Sequence, residues 1–135
     1  MEKNGKLEQI VYAVKARNGR QLSQSGGAFA VIAKNVITRG GVVYGAAYDG
    51  KSSSVKYDRI DKLNQLHFLL GSKYVQADIG DVMRKIMMDL KNNKMVLVCG
   101  NPCFINGLKN LAKSTEQSNN LILVDFICHG TSSPV

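Results

Sequence analysis

Apolar residues recur at helical spacing in three parts of the chain, and they predict three helices. The first helix opens at Ser25 or a neighbouring Ser or Gln and continues to about Thr38, before the glycines at 40–41. Its predicted apolar face consists of Val31, Ile32 and Val36. The second helix is the clearest, and we interpret its apolar stripe as core rather than as a cofactor site: Val82, Met83, Ile86, Met87 and Leu90.

The third helix begins with favourable capping residues. Asn101 is a good N-cap, and Pro102 suits the first helical position because its missing amide hydrogen would be unbonded there anyway. The apolar positions that follow are Phe104, Ile105, Leu108, Leu111 and Ala112. Gly107 lies inside this helix, where glycine costs ~1 kcal/mol against alanine. We expect close packing of the helix on a sheet to offset that cost.

The strands are predicted from runs of β-branched and aromatic residues. Residues 10–16 read as a first strand. The runs 42–48 and 53–60 flank the turn signal Asp49-Gly50 and predict a hairpin. Asp61 is the expected cap of a short helix that ends at a glycine, and the histidine at position 67 within it is expected to be structural.

Two further apolar runs, 95–99 and 121–127, stand on either side of the third helix. This β-α-β order predicts parallel strands joined by a right-handed crossover. The fold class that follows is α/β, with a mixed, largely parallel sheet, helices packed on it, and a β-hairpin near residues 42–60. We expect residues 1–135 to form a single domain, because that length suits one hydrophobic core.

Composition narrows the setting. Hydrophobic residues make up 44% and charged residues 21%, so the chain is an ordinary globular one. The polar start and the absence of an apolar run of ~20 residues predict a cytoplasmic protein without a membrane partner. The chain has three cysteines, and an odd number argues against a disulfide framework.

The net charge of +8 raises the question of nucleic acid. Seven Lys or Arg residues but only two Glu occur in the first 39 positions. However, the chain has no zinc-finger spacing, and aromatic residues are only 7%. We therefore expect no nucleic-acid partner and favour a solvated basic surface, with a basic cleft for an anionic cofactor as the alternative.

The candidate chemistry follows the carboxyl ends of the two parallel strands, where open α/β sheets bind ligands. Cys103 comes after one end and Cys128-His129 after the next, so these side chains could converge in one crevice. The helix start near Cys103 would favour a thiolate. Three interpretations stay open: a thiol enzyme with Cys103 and His129, a zinc site that adds Cys99, and an anion site.

Glycine and lysine positions are compatible with the anion site but do not decide for it. Gly26-Gly27 would let backbone amides approach a ligand, or would simply form a tight turn. Lys73 lies in a loop where its cation could meet a phosphate, although most such lysines are solvated. Gly100, Asn101 and the backbone around Cys103 could hold a phosphate. The spacing matches no Walker or dinucleotide motif.

Several of these stretches resemble one protein family. "GNPCFINGLKNL" resembles its pattern G-T-P-C-Q-x-x-G-L-K, and "DFICHGTSSP" resembles D-x-x-C-H-G-x-x-S-P. "SQSGGAF", "GGVVYGAAYD" and "GSKYVQADIGD" precede them in the order and spacing typical of the same group. This is the beta-subunit family of coenzyme F-420 hydrogenase/dehydrogenase, and the resemblance extends over residues 11–134.

The resemblance implies a flavoprotein oxidoreductase in which FAD passes electrons between a 4Fe-4S cluster and a deazaflavin or other organic acceptor. It implies a ferredoxin-like domain or subunit as partner, because three cysteines cannot complete a four-cysteine cluster. Lys73 would contact a phosphate or the electron-rich part of the reduced ring, and Cys103, His129 and Lys73 are the catalytic candidates. The implied flavin-site residues are Ser25, Gly26, Gly27, Ser72, Lys73, Tyr74, Asn101, Pro102, Cys103, Cys128, His129 and Gly130.

Two residues depart from the family pattern. Asn101 stands in place of the usual Thr, and Phe104 in place of the usual Gln. Family members commonly continue beyond the C-H-G motif, so we expect this chain to be the N-terminal part of a longer architecture. A non-catalytic binding or assembly module of the same fold, pairing with a missing half or with itself as a homo-oligomer, is the alternative function.

Overall fold

The computed structural model describes residues 10–50, 54–113 and 116–130. Three α-helices occur in these ranges: α1 (Ala28–Thr38), α2 (Val82–Lys91) and α3 (Pro102–Ala112). Five strands occur as well: β1 (Val42–Tyr48), β2 (Val55–Ile60), β3 (Ala77–Asp78), β4 (Val96–Gly100) and β5 (Leu121–Asp125). Three short 3₁₀ helices complete the described elements: Arg20–Leu22, Leu63–Leu69 and Glu116–Asn120.

The strands form one sheet in the order β3-β2-β1-β4-β5. β1 lies at the centre, antiparallel to β2 and parallel to β4, and β5 is parallel to β4. β3 pairs in parallel with β2. These pairings confirm the predicted α/β class, the mixed and largely parallel sheet, and the hairpin near residues 42–60. They also confirm that the strands flanking α3 are parallel neighbours.

The core lies on both faces of the sheet, because successive strand residues point to opposite sides. One face packs against α2 and α3 through these buried residues: Val42, Tyr44, Val82, Ile86, Leu90, Val96, Val98, Phe104, Ile105 and Leu108. The other face packs against α1 and the 3₁₀ helix Leu63–Leu69 through these: Ala33, Val36, Ile37, Val43, Ala47, Ile60, Leu69 and Leu97. The apolar stripe of α2 belongs to the core, as predicted: Val82, Ile86 and Leu90 are buried, and the partly buried Met83 and Met87 pack against them.

The prediction of a first strand was wrong, since residues 10–16 form no strand. The first helix also begins later than predicted, at Ala28, with Gly27 as its N-cap. Its buried face is Ala33, Val36 and Ile37. The predicted face was right for Val36 but wrong for Val31 and Ile32, which are exposed. Small Ala33 takes the position against the sheet.

Three local predictions also need correction. The short helix after β2 is a 3₁₀ helix that begins after Lys62, and the Gln65 side chain accepts hydrogen bonds from the Lys62 and Asp61 amides. Asp61 does not cap it, because its carboxylate binds Arg59 at 3.0 Å. Leu111 of α3 is exposed rather than buried. Both parallel strands flanking α3 differ slightly from their predicted bounds.

Asp89 of α2 forms a buried polar contact with two strands. Its carboxylate accepts hydrogen bonds from the Tyr44 hydroxyl on β1 (2.6 Å) and from Arg59 Nε on β2 (2.8 Å). Lys94 Nζ lies 3.0 Å from its other oxygen. Arg59 also pairs with the exposed Asp61. The network therefore ties α2 to the antiparallel half of the sheet.

Gly107 does not pack closely on the sheet. A Cβ added there would meet only Met83 Cε of α2, at an ordinary contact distance of 3.6 Å. Gly107→Ala should therefore raise the free energy of unfolding by about 0.5–1 kcal/mol, because alanine is the better helix former. Urea denaturation would measure the change.

A matched control is Gly41→Ala in the turn before β1. Its Cβ would lie 2.6 Å from Val36 Cγ1 and 2.7 Å from the Met95 carbonyl oxygen, so this variant should be destabilised. If Gly107→Ala were destabilised to a similar extent, the helix packing at that position would be tighter than the structure indicates.

Within the described ranges, none of the helices combines the length and apolarity needed to cross a membrane.

Candidate functional site: the carboxyl edge of the sheet

The parallel strands β1, β4 and β5 end together at one edge of the sheet. Their last residues are Tyr48, Gly100 and Asp125, and we call this side of the sheet the carboxyl edge. The turn into α3 and the segment 126–130 both leave from it. The strands that precede Cys103 and Cys128 are therefore adjacent, as the sequence predicted. Both cysteines lie in segments that follow these strands at the carboxyl edge.

Tyr57 of β2 reaches across the sheet to the turn between β4 and α3. A Cβ on Gly100 would clash with the Tyr57 hydroxyl, which is also hydrogen-bonded to the Asn101 backbone. Burial is the main reason that the pKa of Tyr57 is raised to about 12. The phenol therefore stays protonated at neutral pH. Tyr57 accounts for the glycine at position 100 without any ligand.

Phe104 belongs to the core beneath this turn. Its side chain is 5% exposed, and its ring centroid lies 4.4 Å from that of Tyr57. Position 104 carried one of the two departures from the family pattern, and in this chain it points into the core. Asn101 is the N-cap residue of α3 and Pro102 its first residue, as predicted, although the Asn101 side chain makes no capping hydrogen bond.

A side-chain hydrogen bond joins two of the predicted site segments. Gln24 Oε1 accepts from the Ser72 amide at 2.7 Å, which places residues 24–27 beside residues 72–74. Ser25 is exposed, and Gly27 has a φ of 82°, a conformation that favours glycine. The Val14 carbonyl oxygen occupies the space that a Cβ on Gly26 would need. The close approach of segment 10–16 therefore explains why position 26 is a glycine, and a ligand is not needed to explain it.

Lys73 is half-buried and hydrogen-bonded to its own chain. Its Nζ donates to the carbonyl oxygens of Leu70 (2.9 Å) and Phe68 (3.2 Å) at the end of the 3₁₀ helix. It lies 6.0 Å from the centre of the Tyr48 ring. Burial lowers the pKa of Lys73, and negative charge on Cys99 would partly oppose this. The two carbonyl groups use two of the three N–H donors of the ammonium group, so with respect to the described residues one is left for a ligand.

The three cysteines are free thiols in different environments. Burial, with the Asp125 carboxylate adding to it, raises the pKa of Cys99 to about 11, while Lys73 opposes the rise. Cys103 is exposed on the first turn of α3. Cys128 is partly buried, and its Sγ accepts a hydrogen bond from the Gly130 amide at 3.4 Å.

The structure does not draw the candidate metal ligands together. In the part of the chain that it describes, no group of three or more His, Cys, Asp or Glu residues could hold a metal ion. That part includes Cys99, Cys103, Cys128 and His129, the four candidate zinc ligands. Nor does a hydrogen bond among the described residues join Cys103 to His129, the pair that a thiol enzyme would use.

Two residues at this edge were not predicted from the sequence. Tyr57 alternates with exposed Lys56 and Asp58 along β2, and this period of two could have identified it as a core-facing side chain. Gln24 carries no comparable signal. Its importance lies in a contact with Ser72, 48 positions away, that only the folded chain reveals.

The groups present fit an anionic, planar ligand such as a flavin nucleotide. Fewer of the predicted residues are able to contact it than the sequence indicated. Lys73 and the N-terminal turn of α3 could hold phosphate oxygens, because both present positive charge or partial charge. Tyr74 is 79% exposed beside Lys73 and could stack on a ring. None of the described residues would contact a Cβ added to Gly130. Gly26 and Gly100 offer no such room.

The fold and this edge define a class: a mixed α/β domain with polar groups from several loops gathered at the carboxyl ends of its parallel strands. Comparison with known proteins adds no family to that class. No protein-family model matches the chain, and no curated protein matches it significantly. The resemblance described above stays a prediction from the motifs.

Proposed function

We propose that this chain is the flavin-binding α/β domain of an electron-transfer oxidoreductase, similar to the beta subunits of coenzyme F-420 hydrogenases and dehydrogenases. FAD would pass electrons between an iron–sulfur cluster in a ferredoxin-like domain or subunit and a deazaflavin or other organic acceptor. A cytoplasmic setting suits the proposal, because three free thiols persist in a reducing compartment.

One observation carries the proposal: three motif segments that are distant in sequence meet at the carboxyl edge. Gln24 joins the loop before α1 to Ser72. The next residue, Lys73, places its Nζ 6.0 Å from the centre of the Tyr48 ring at the end of β1. It is also near enough to Cys99 of β4 for each charge to affect the pKa of the other residue. In open α/β sheets this is the position at which ligands bind.

The flavin would supply the redox chemistry, and the protein would supply binding and orientation. The remaining N–H donor of Lys73 would hold a phosphate oxygen or stabilise negative charge on a reduced ring. Tyr74 would cover one face of the ring. Cys103, at the start of α3, would line the site beside the ligand. The last motif segment, which contains residues 128–130, follows β5 at the same edge.

Titration with FAD tests the proposal. We expect the chain to quench FAD fluorescence and to shift its visible spectrum. Lys73→Gln should weaken binding about tenfold or more, because it removes a charge-assisted hydrogen bond. Lys34→Gln, which removes the same charge from an exposed position on α1, should leave the affinity unchanged.

Lys73 also caps a 3₁₀ helix, so thermal melting should accompany each titration. Lys73→Arg keeps the charge and should retain most of the affinity if the cation matters. If the wild-type chain bound neither FAD nor a deazaflavin, the proposal would be wrong. If Lys73→Gln and Lys34→Gln bound FAD equally well, the site would lie elsewhere.

An assembly module is the second candidate, and one observation favours it. Large apolar side chains are exposed on two segments at or near the carboxyl edge: Ile10, Val11, Tyr12 and Val14 on one, and Phe126 and Ile127 on the other. Surface of this kind marks interaction sites in soluble proteins. A stable oligomer without affinity for FAD would favour this function over the flavoprotein.

A further inference from the structure

The strand β5 forms one end of the sheet and has a free side. In the described part of the chain it pairs with β4 alone, and none of its five residues is buried. Its sequence, LILVD, contains no lysine, arginine or proline, the residues that usually protect an edge strand from pairing. Asp125 is its only charged residue. Such an edge is a template for another strand.

Residues 10–16 are a possible partner for such an edge. Their sequence, IVYAVKA, is rich in strand-forming residues, yet they pair with no strand. Val11 is 86% exposed and Tyr12 77% exposed. The segment is held at its end, where the Ala16 amide donates to the Gly26 carbonyl at 2.7 Å. It is a strand-forming segment without a partner strand among the described residues of its own chain.

We propose that residues 11–15 of one copy of this chain pair in parallel with β5 of a second copy. In this register Val11 lies opposite Leu121, and four successive apolar pairs end with Lys15 opposite Asp125. The single charge on each segment thus meets its opposite. The added strand would continue the parallel series β1-β4-β5 and would satisfy the free backbone groups of the edge.

The contacts at Gly26 leave residues 11–15 able to pair with a second copy. Ala16 is bonded to the loop before α1, immediately after the pairing residues, so that anchor need not break. The Val14 carbonyl and the Ala16 amide face Gly26. In an extended conformation, the backbone N–H and C=O groups of Ala13 and Lys15 would therefore point away from Gly26 and could pair with another strand. Reciprocal exchange between two copies then closes a dimer.

Charge reversal tests the register. The wild-type chain should form a dimer at high micromolar concentration, as measured by size exclusion with light scattering. Lys15→Glu and Asp125→Lys should each weaken the dimer about tenfold, because each places like charges opposite one another. Lys34→Glu, the same charge change on α1, should have no effect. The double variant Lys15→Glu/Asp125→Lys should dimerise like the wild type.

Mixing the two single variants shows whether the pairing is between copies. A Lys15→Glu chain and an Asp125→Lys chain form two complementary junctions with each other, but none with themselves. Their mixture should therefore dimerise about tenfold more tightly than either variant alone, and amides 11–15 should exchange more slowly in the mixture than in either variant. A monomeric wild type, or a mixture that stays monomeric, would overturn the proposal. Protection of these amides in a monomer would show pairing within one chain instead.

Discussion

Asp89→Ala should lower the free energy of unfolding by about 3 kcal/mol or more, because it breaks a buried charged network. The Asp89 side chain is only 10% exposed and accepts from three donors. Tyr44, which is fully buried, would be left with an unpaired hydroxyl. The Arg59 guanidinium would lose its contact with a buried carboxylate and keep only the exposed Asp61. Urea denaturation monitored by circular dichroism would measure the loss.

Asp61 provides the matched control. It binds the same guanidinium, at 3.0 Å, but its side chain is 46% exposed. Asp61→Ala should therefore cost less than about 1 kcal/mol, as exposed ion pairs usually do. Equal losses for the two variants would mean that the buried contact stabilises the fold no more than a surface pair.

The same contact makes stability depend on pH. Burial disfavours the Asp89 carboxylate, but hydrogen bonds from Arg59, Tyr44 and Lys94 outweigh it and lower the pKa to about 2. Because the folded pKa lies below the ordinary value near 4, this stabilisation is complete above about pH 4. It is lost as the pH falls from about 4 to about 2. In Asp89→Ala that acid-dependent loss should be much smaller.

Phe104→Gln, which introduces the residue of the resembled motif, should destabilise the protein by about 2–4 kcal/mol. Phe104 is 5% exposed and packs on Tyr57, with ring centroids 4.4 Å apart. A glutamine there would lose this packing and bury an amide. The change in the free energy of unfolding would again be measured by urea denaturation.

Phe104→Leu separates the two causes of that loss. Leucine removes part of the ring volume but adds no polar group, so it should cost about 1–1.5 kcal/mol. If the glutamine variant were as stable as the leucine variant, the amide would have found a polar partner. Position 104 would then be open to solvent or to a ligand, contrary to its burial here.

Elements with a strong period were predictable from sequence. The stripe on α2 and the Asn-Pro start of α3 fixed both helices, because side-chain periodicity and capping are local properties. The parallel pairing of β4 and β5 followed from the β-α-β order. The face of α1 was not predictable, since it carries apolar residues on two sides and only the packing of Ala33 decides between them.

The candidate site was predictable only in its general position. The carboxyl edge follows from topology, and the loops at residues 24–27 and 72–74 do meet there. The roles of the glycines were not predictable, because Gly26 and Gly100 are explained by contacts with Val14 and Tyr57. Those contacts join distant parts of the chain, and a sequence pattern read locally does not contain them.

The environment of Cys99 gives this protein a built-in reporter of local opening. With a pKa near 11 and partial burial in the β4 ladder, this thiol is protonated and shielded at neutral pH. An alkylating reagent would therefore react slowly with it in the folded sheet, and faster when β4 separates from its neighbours. With serine at the two other cysteine positions, the labelling rate would therefore time the rare openings of the middle of the sheet.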